Sequence, residues 1–220
     1  MDRSSTSKPK QSRINHLWFW LNSSRQLRIM PMKNSLEWLE DWNTALETAR
    51  KENKSVILQF HRDECAGCKK LYTQTYLDQE VQQEIFDWFI PLRQDIFRNR
   101  DIRSKYSAYW TPSFFFLDRK GVALHSINGF LDVDDFRVML RLAKAALDIP
   151  KGRYLQIIDL MENGLSLFPG NPKAPAMLFV RGMAEYLLGK EKSAFRGTMI
   201  EIREQYPDSL EARMWPWSEQ

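Results

Sequence analysis

Cysteine is scarce in this sequence: its 220 residues hold two, Cys65 and Cys68. A small secreted scaffold stapled by disulfides needs more, so this pair is read through its reactivity. Histidine is limited to His16, His61 and His125, and only His61 stands near the cysteines. No stretch approaches the ~20 consecutive apolar residues of a membrane-spanning helix. The longest early apolar run, Leu17 to Leu21, is shorter than a signal-peptide core. The expectation is a soluble, unexported, cytoplasmic protein with no membrane partner. Acidic residues are nearly missing from the first 33 positions. Asp2 alone stands against Arg3, Lys8, Lys10, Arg13, Arg25, Arg28 and Lys33, which leaves −2 for the remainder of a chain whose net charge is +4. The basic balance therefore belongs to a tail. A nucleic-acid binder would carry a basic face on its folded domain, so no nucleic-acid partner is expected.

What is present, 43% hydrophobic residues and many aromatics, suffices for one sizeable core or two small ones. Residues 1–33 lack sustained periodicity and hold one aromatic cluster, Trp18-Phe19-Trp20; they read as a flexible basic extension. From Leu36 the apolar positions Leu39, Trp42, Ala45, Leu46 and Ala49 recur at helical spacing, and Asn34 with Glu37 resembles a capping pair, so a helix is predicted from Leu36 to about Asn53. Ser55 to Phe60, rich in β-branched residues, predicts a buried strand. Leu71 to Trp88 is mostly helical, with Asp78 capping a second piece that carries Val81, Ile85 and Phe86. Strands are predicted at Phe89–Gln94, Ser113–Leu117 and Val122–Ile127. A short helix is predicted at Asp101–Ala108, a turn at Asp118–Gly121, and an amphipathic helix from Leu131 to Ile149 with Phe136, Met139, Leu140, Leu142 and Ala143 inward. Phe114, Phe115 and Phe116 read as core. Beyond Lys151 only helical segments remain: Tyr154–Phe168, Ala174–Leu188 and Glu191–Tyr206.

Cys65-Ala66-Gly67-Cys68 sets two thiols three residues apart at a predicted helix start. They can close into a disulfide with little backbone movement, and they are unequal. The first sulfur meets the unpaired N–H groups and the positive end of the helix dipole, which favours its thiolate; the second lies a turn inside. Lys69 and Lys70 reinforce that bias, whereas Asp63 and Glu64 oppose it. Two rival readings are half of a structural metal site and an inert buried pair. The metal needs two further soft or imidazole ligands, and there is no second cysteine pair, so no metal or other cofactor is expected.

With these motifs in view, the chain resembles the thioredoxin superfamily. The resemblance rests on Val56 to Phe60, Cys65-Ala-Gly-Cys68-Lys-Lys, Trp110-Thr-Pro112-Ser-Phe-Phe-Phe-Leu-Asp118-x-x-Gly121 and Gly129-Phe130. It is strongest to the branch whose first helix reads Ala-x-x-x-Ala-x-x-x-x-Lys, here Ala45 to Lys54, and it covers about residues 36–149. It implies an α/β thioredoxin fold, a central mixed sheet flanked by helices. It also implies a cis Pro112 beside the cysteines, with Thr111 and Pro112 contacting an extended substrate. The rival reading of Pro112 is a proline opening an ordinary strand, and Trp110 is a candidate groove residue or plain surface. The implied activity is thiol-disulfide oxidoreductase, with Cys65 attacking and Cys68 resolving. Its partners would be protein thiols or disulfides and an unidentified electron donor or acceptor. The alternative is a non-catalytic interaction module. Two departures matter: Gln59 stands where many thioredoxins have a buried aspartate, and Glu64-Cys-Ala-Gly-Cys replaces Trp-Cys-Gly-Pro-Cys. They point to a narrower or slower exchange role.

In the last third, Arg181-Gly182-x-Ala184-x-Tyr186-x-Leu188-Gly189, Ala194 and Tyr206-Pro-Asp-Ser209 resemble one tetratricopeptide unit, whose small residues let antiparallel helices approach closely. The expected organisation is a basic extension (1–33), a thioredoxin-like domain (34–149) and a small all-α extension (150–220). That extension packs against the redox domain or a second subunit, or serves as a partner surface.

Overall fold

The computed structural model describes residues 36–215. The basic segment 1–33, its tryptophan cluster and Asn34 lie outside the described residues. Along the chain come α1 (Trp42–Glu52), β1 (Ser55–His61), α2 (Ala66–Thr73), a 3-10 turn (Thr75–Leu77) and α3 (Gln79–Trp88). Then follow β2 (Phe89–Asp95), α4 (Arg100–Lys105), β3 (Ser113–Leu117), β4 (Ala123–Asn128) and α5 (Val133–Asp148). A second 3-10 turn (Ile149–Lys151) leads to α6 (Tyr154–Leu167), α7 (Ala174–Leu187), α8 (Lys192–Gln205) and the short α9 (Leu210–Arg213).

The first helix begins six residues later than the apolar spacing predicts. Leu39 is committed to the sheet edge: its N–H donates to Pro91 O and its carbonyl accepts from Arg93 N–H, both at 2.9 Å. Asp41, extended, then accepts from Thr44 N–H at 2.7 Å and starts α1. Such a cap contributes about 1 kcal/mol. At the far end Asn53 adopts the left-handed conformation that closes the helix. Asp78 and Asp132 cap α3 and α5 in the same way, at 2.9 Å to Val81 N–H and Asp135 N–H.

The sheet order is β2-β1-β3-β4, with β1 parallel to β2 and antiparallel to β3, and β3 antiparallel to β4. The central strand β1 alternates between two apolar layers, as a strand covered on both faces must. Val56, Leu58 and Phe60 meet α1 through Ala45, Leu46 and Ala49. Ile57 meets Leu71, Val81, Ile85 and α5 residues Phe136, Met139, Leu140 and Ala143 on the other side. All three phenylalanines of β3 are buried. Phe86 instead points outward, and Lys54 Nζ lies 4.6 Å from its ring centre. This four-stranded mixed sheet, with α1 and α4 on one face and α2, α3 and α5 on the other, is the thioredoxin fold.

Helix α5 is buried on two sides. Its remaining apolar face, Val138, Ala145 and the half-buried Leu142, packs with Ile157, Met161, Ala174 and Met177 of the following helices. Leu142 therefore serves this second cluster rather than the sheet. Close approach needs small residues there. A Cβ at Gly164 would stand 2.7 Å from Met177 Sδ, and one at Gly182 would stand 2.8 Å from Thr198 Cγ2.

Candidate functional site: the Cys65–Cys68 dithiol

The strand β1 ends at His61, and four residues later Cys65 is the N-cap of α2 with extended backbone. Its Sγ accepts the Cys68 N–H at 3.1 Å. A sulfur in an N-cap position meets the unpaired amides and the positive end of the helix, so its anion is favoured. Both thiols are free and buried, Cys65 4% exposed and Cys68 fully enclosed. Burial by itself would push the Cys65 thiol up. Hydrogen bonds from the Cys68 thiol, the Thr111 hydroxyl and the Cys68 amide, together with the positive charge of Arg62, outweigh it and hold Cys65 below the usual thiol value. Cys68 moves the other way. Its burial, reinforced by donating to Cys65 and by that sulfur's charge, pushes it up to about 12 against the opposing effects of the Arg62 backbone and Thr111. The inequality anticipated from spacing is present, but the helpful charge comes from Arg62 rather than from the lysines after the pair. Lys70 Nζ is engaged 4.3 Å from the Phe130 ring centre.

The Thr111–Pro112 peptide is cis, as the family resemblance implies. Pro112 is buried and packs on the first turn of α2, where a Cβ on Gly67 would lie 2.9 Å from Pro112 Cδ and 3.5 Å from Phe130 Cβ. Gly67 is the residue that lets the proline loop close over the dithiol. The Pro112 carbonyl accepts from Gly129 N–H at 2.8 Å, tying that loop to the end of β4. Trp110 is 56% exposed and borders, with Thr111, a cleft of about 810 Å³ beside the cysteines. Of the five residues singled out from the sequence, Cys65, Cys68, Thr111 and Pro112 meet at one helix start, and Trp110 stands one residue further on, at the border of the adjoining cleft.

Behind Cys68 the polar residue Gln59 is fully buried. Its Oε1 accepts the Tyr76 hydroxyl at 2.9 Å, and its Nε2 meets no acceptor in hydrogen-bond geometry. Where the family pattern has a carboxylate, this chain has a neutral amide held by a tyrosine. His61 lines a second cleft with Cys68, Tyr72 and Arg93, and burial, followed by the Arg93 charge, pushes its imidazole below its ordinary value. Sequence reasoning missed Arg62, Phe97, Arg103 and Tyr109, which line the first cleft. They lie on three separate loops and one helix, and no local spacing links them. Among the described residues, no group of three or more His, Cys, Asp or Glu could hold a metal ion, and no helix is long and apolar enough to cross a membrane.

A mixed four-stranded sheet bearing a Cys-x-x-Cys at a helix start, with a cis-proline loop against it, defines the class: a thioredoxin-fold dithiol protein. The family comparison agrees. Residues 42–144 match the model of the thioredoxin-like domain. Among curated proteins it is similar to the thiol:disulfide interchange protein DsbD of Photorhabdus laumondii, 28% identical over 134 residues. That match covers 56% of this chain and 22% of the relative, so the chain spans well under a third of that protein's length. Among solved structures it is similar to the oxidised C-terminal domain of DsbD from Neisseria meningitidis, at 26% identity and TM-score 0.38, covering 46% of this chain and 93% of that one. It is similar also to a thioredoxin from Thermus thermophilus, at 23% identity and TM-score 0.45, covering 49% and 85%.

Proposed function

We propose that this chain exchanges disulfides with protein cysteines through the Cys65-Ala66-Gly67-Cys68 dithiol. The observation that carries the reading is the inequality of the two sulfurs, one accepting an N-cap amide hydrogen bond at 3.1 Å and the other fully enclosed. The similarity to thiol:disulfide interchange proteins supports it. In the reducing direction the Cys65 thiolate attacks one sulfur of a substrate disulfide. A Cys65–substrate disulfide forms, and the second substrate sulfur leaves as a thiolate that takes up a proton. Cys68 then loses its proton as its sulfur attacks Cys65 Sγ. The Cys65–Cys68 disulfide forms and the substrate departs as a dithiol, having gained two electrons. A thiol or dithiol reductant returns the pair to its starting state, and the same steps reversed describe oxidation of a substrate. Thr111 and Pro112 contact the substrate chain, with Trp110 beside them. Gln59 supplies no carboxylate for the Cys68 proton, which fits a slower or narrower exchange than a general reductase performs.

The test is equilibration of the full chain in glutathione buffers of graded poise, followed by reduction of a model protein disulfide under dithiothreitol. The pair should titrate as one two-electron couple, and Cys65→Ser should abolish turnover. A pair that ignores the buffer, with no turnover by the wild type, would support a non-catalytic interaction module instead.

A further inference from the structure

The cleft beside Thr111 carries positive charge with nothing on its walls to balance it. Its floor is Ile96 and Ala108, both nearly buried, and its rim holds two guanidinium groups, Arg62 from the loop after β1 and Arg103 from the last turn of α4. No carboxylate lines it. Neither guanidinium has an ion-pair partner among the described residues, in contrast to Arg93, which is held by Glu40 at 2.5 Å, and to Arg137 and Arg141, which share Glu84. The nearby acids are otherwise placed. Glu40, Asp63 and Asp95 border the neighbouring cleft, which shares Arg62 with this one; there Glu40 is held by Arg93, Asp95 Oδ1 accepts from Phe97 and Arg98 N–H, and Glu64 lines neither cleft. Three large aromatics stand around the same opening, far out of the core: Phe97 at 59% exposure, Tyr109 at 80% and Trp110 at 56%. The Tyr109 hydroxyl accepts from Asn128 Nδ2 at 3.3 Å, which steadies that ring from β4.

We infer that this cleft selects substrate segments carrying acidic side chains within about three residues of the reacting cysteine, with Arg62 and Arg103 as the specificity-determining residues. The inference rests on the exchange reading above. A chain held at Thr111 while its sulfur meets Cys65 must run its neighbouring residues over Trp110 and Tyr109, which brings them to the two arginines. Aspartate or glutamate there gains a charge-assisted hydrogen bond to a planar donor fork. Lysine or arginine meets like charge beside a low-dielectric wall. The aromatic rings add contact area with few rotors to order, which makes the selection one of charge on a broadly adhesive surface.

The probe is a pair of disulfide-bonded peptides identical except for three flanking positions, all glutamate in one and all lysine in the other. Their reduction by the full chain is followed under dithiothreitol at low salt, with the chemical background subtracted. The glutamate peptide should have the higher kcat/KM, by about 3- to 10-fold for two partly exposed charge contacts. The preference should shrink in ~0.5 M salt, as screening requires. Arg103→Glu should invert the order and Arg103→Lys should retain it. Equal rates for the two peptides, or a ratio that neither Arg103→Glu nor salt changes, would overturn the inference while leaving the exchange reading intact. Should no peptide be reduced, the exchange reading fails. The cleft is then judged separately by fluorescence anisotropy of labelled peptides with serine for cysteine: tighter binding of the glutamate peptide sustains it, and equal binding removes it.

Discussion

Only one of the two sulfurs sits where a helix leaves its amides unpaired, and that difference is the chemistry of the site. Cys65 is lowered by donors that include Cys68, Thr111 and its own helix, and Cys68 is pushed up to about 12 by enclosure. A thiol reacts through its anion, so reactivity rises as pH passes the group's own pKa. Initial rates of iodoacetamide labelling, resolved at each cysteine of the reduced chain by mass spectrometry, should therefore place Cys65 half-reactive at a lower pH than the same cysteine in the urea-unfolded chain. Cys68 should stay unlabelled throughout the neutral range. A shared midpoint for the two cysteines would contradict the geometry. At this scale the sequence was informative wherever chemistry follows chain spacing. The inequality of the thiols is visible in a four-residue motif, and the nearness of Pro112 to it is implied by the family pattern; the approach of Gly67 to Pro112 is not, because that pattern has proline where Gly67 stands. Arg62 was not legible as the charge that assists Cys65, because Lys69 and Lys70 look equivalent until Lys70 is seen over Phe130.

Helices α3, α5 and α6 meet around a buried ion network rather than around carbon alone. Glu84 of α3 receives Arg141 Nη2 and Arg137 Nη2 from α5, both at 2.8 Å, and Arg141 also reaches Asn163 Oδ1 of α6 at 3.1 Å. The Arg141 guanidinium lies 5.6 Å from the Trp88 ring centre and 5.3 Å from that of Phe168. Breaking such a pair leaves an uncompensated charge in the interior, which costs about 3–5 kcal/mol, several times a surface pair. Glu84→Ala should lower the unfolding free energy measured in urea by that order, with a correspondingly lower midpoint, without altering the labelling of Cys65, which lies on another helix. An unchanged midpoint would show that water reaches Arg141. Element positions were largely readable from periodicity, as β1, β3 and α5 illustrate. The first helix was misjudged because Leu39 obeys a tertiary demand, a bridge to Leu92, that outranks its helical spacing. Arg141 escaped notice for a related reason: an arginine on an inner face makes sense only once its partners on two other helices are known.

Across the whole molecule α5 is the shared wall, with Phe136 and Leu140 in the sheet core and Val138 and Ala145 in the helical cluster. The sequence divides the chain by composition at about residue 150, and the structure has the 3-10 turn Ile149–Lys151 there. Packing crosses that turn. A chain ending at Gly152 would expose Val138 and Leu142, each side chain contributing up to about 1.5–3 kcal/mol when buried, and would strip Arg141 of Asn163. Against a total stability of about 5–15 kcal/mol for a domain, that loss is large. Calorimetry of the longer chain should show one transition, and the shortened chain should melt well below it. Equal melting temperatures would mean that the thioredoxin-like part stands alone. Function at this scale depends on which sulfur attacks, and removing the resolving thiol should trap the attack as a covalent adduct. In extracts quenched by alkylation, Cys68→Ser should carry reductant-sensitive adducts with partner proteins, and Cys65→Ser should carry few or none. If Cys65→Ser traps as well as Cys68→Ser, the roles given to the two sulfurs are wrong.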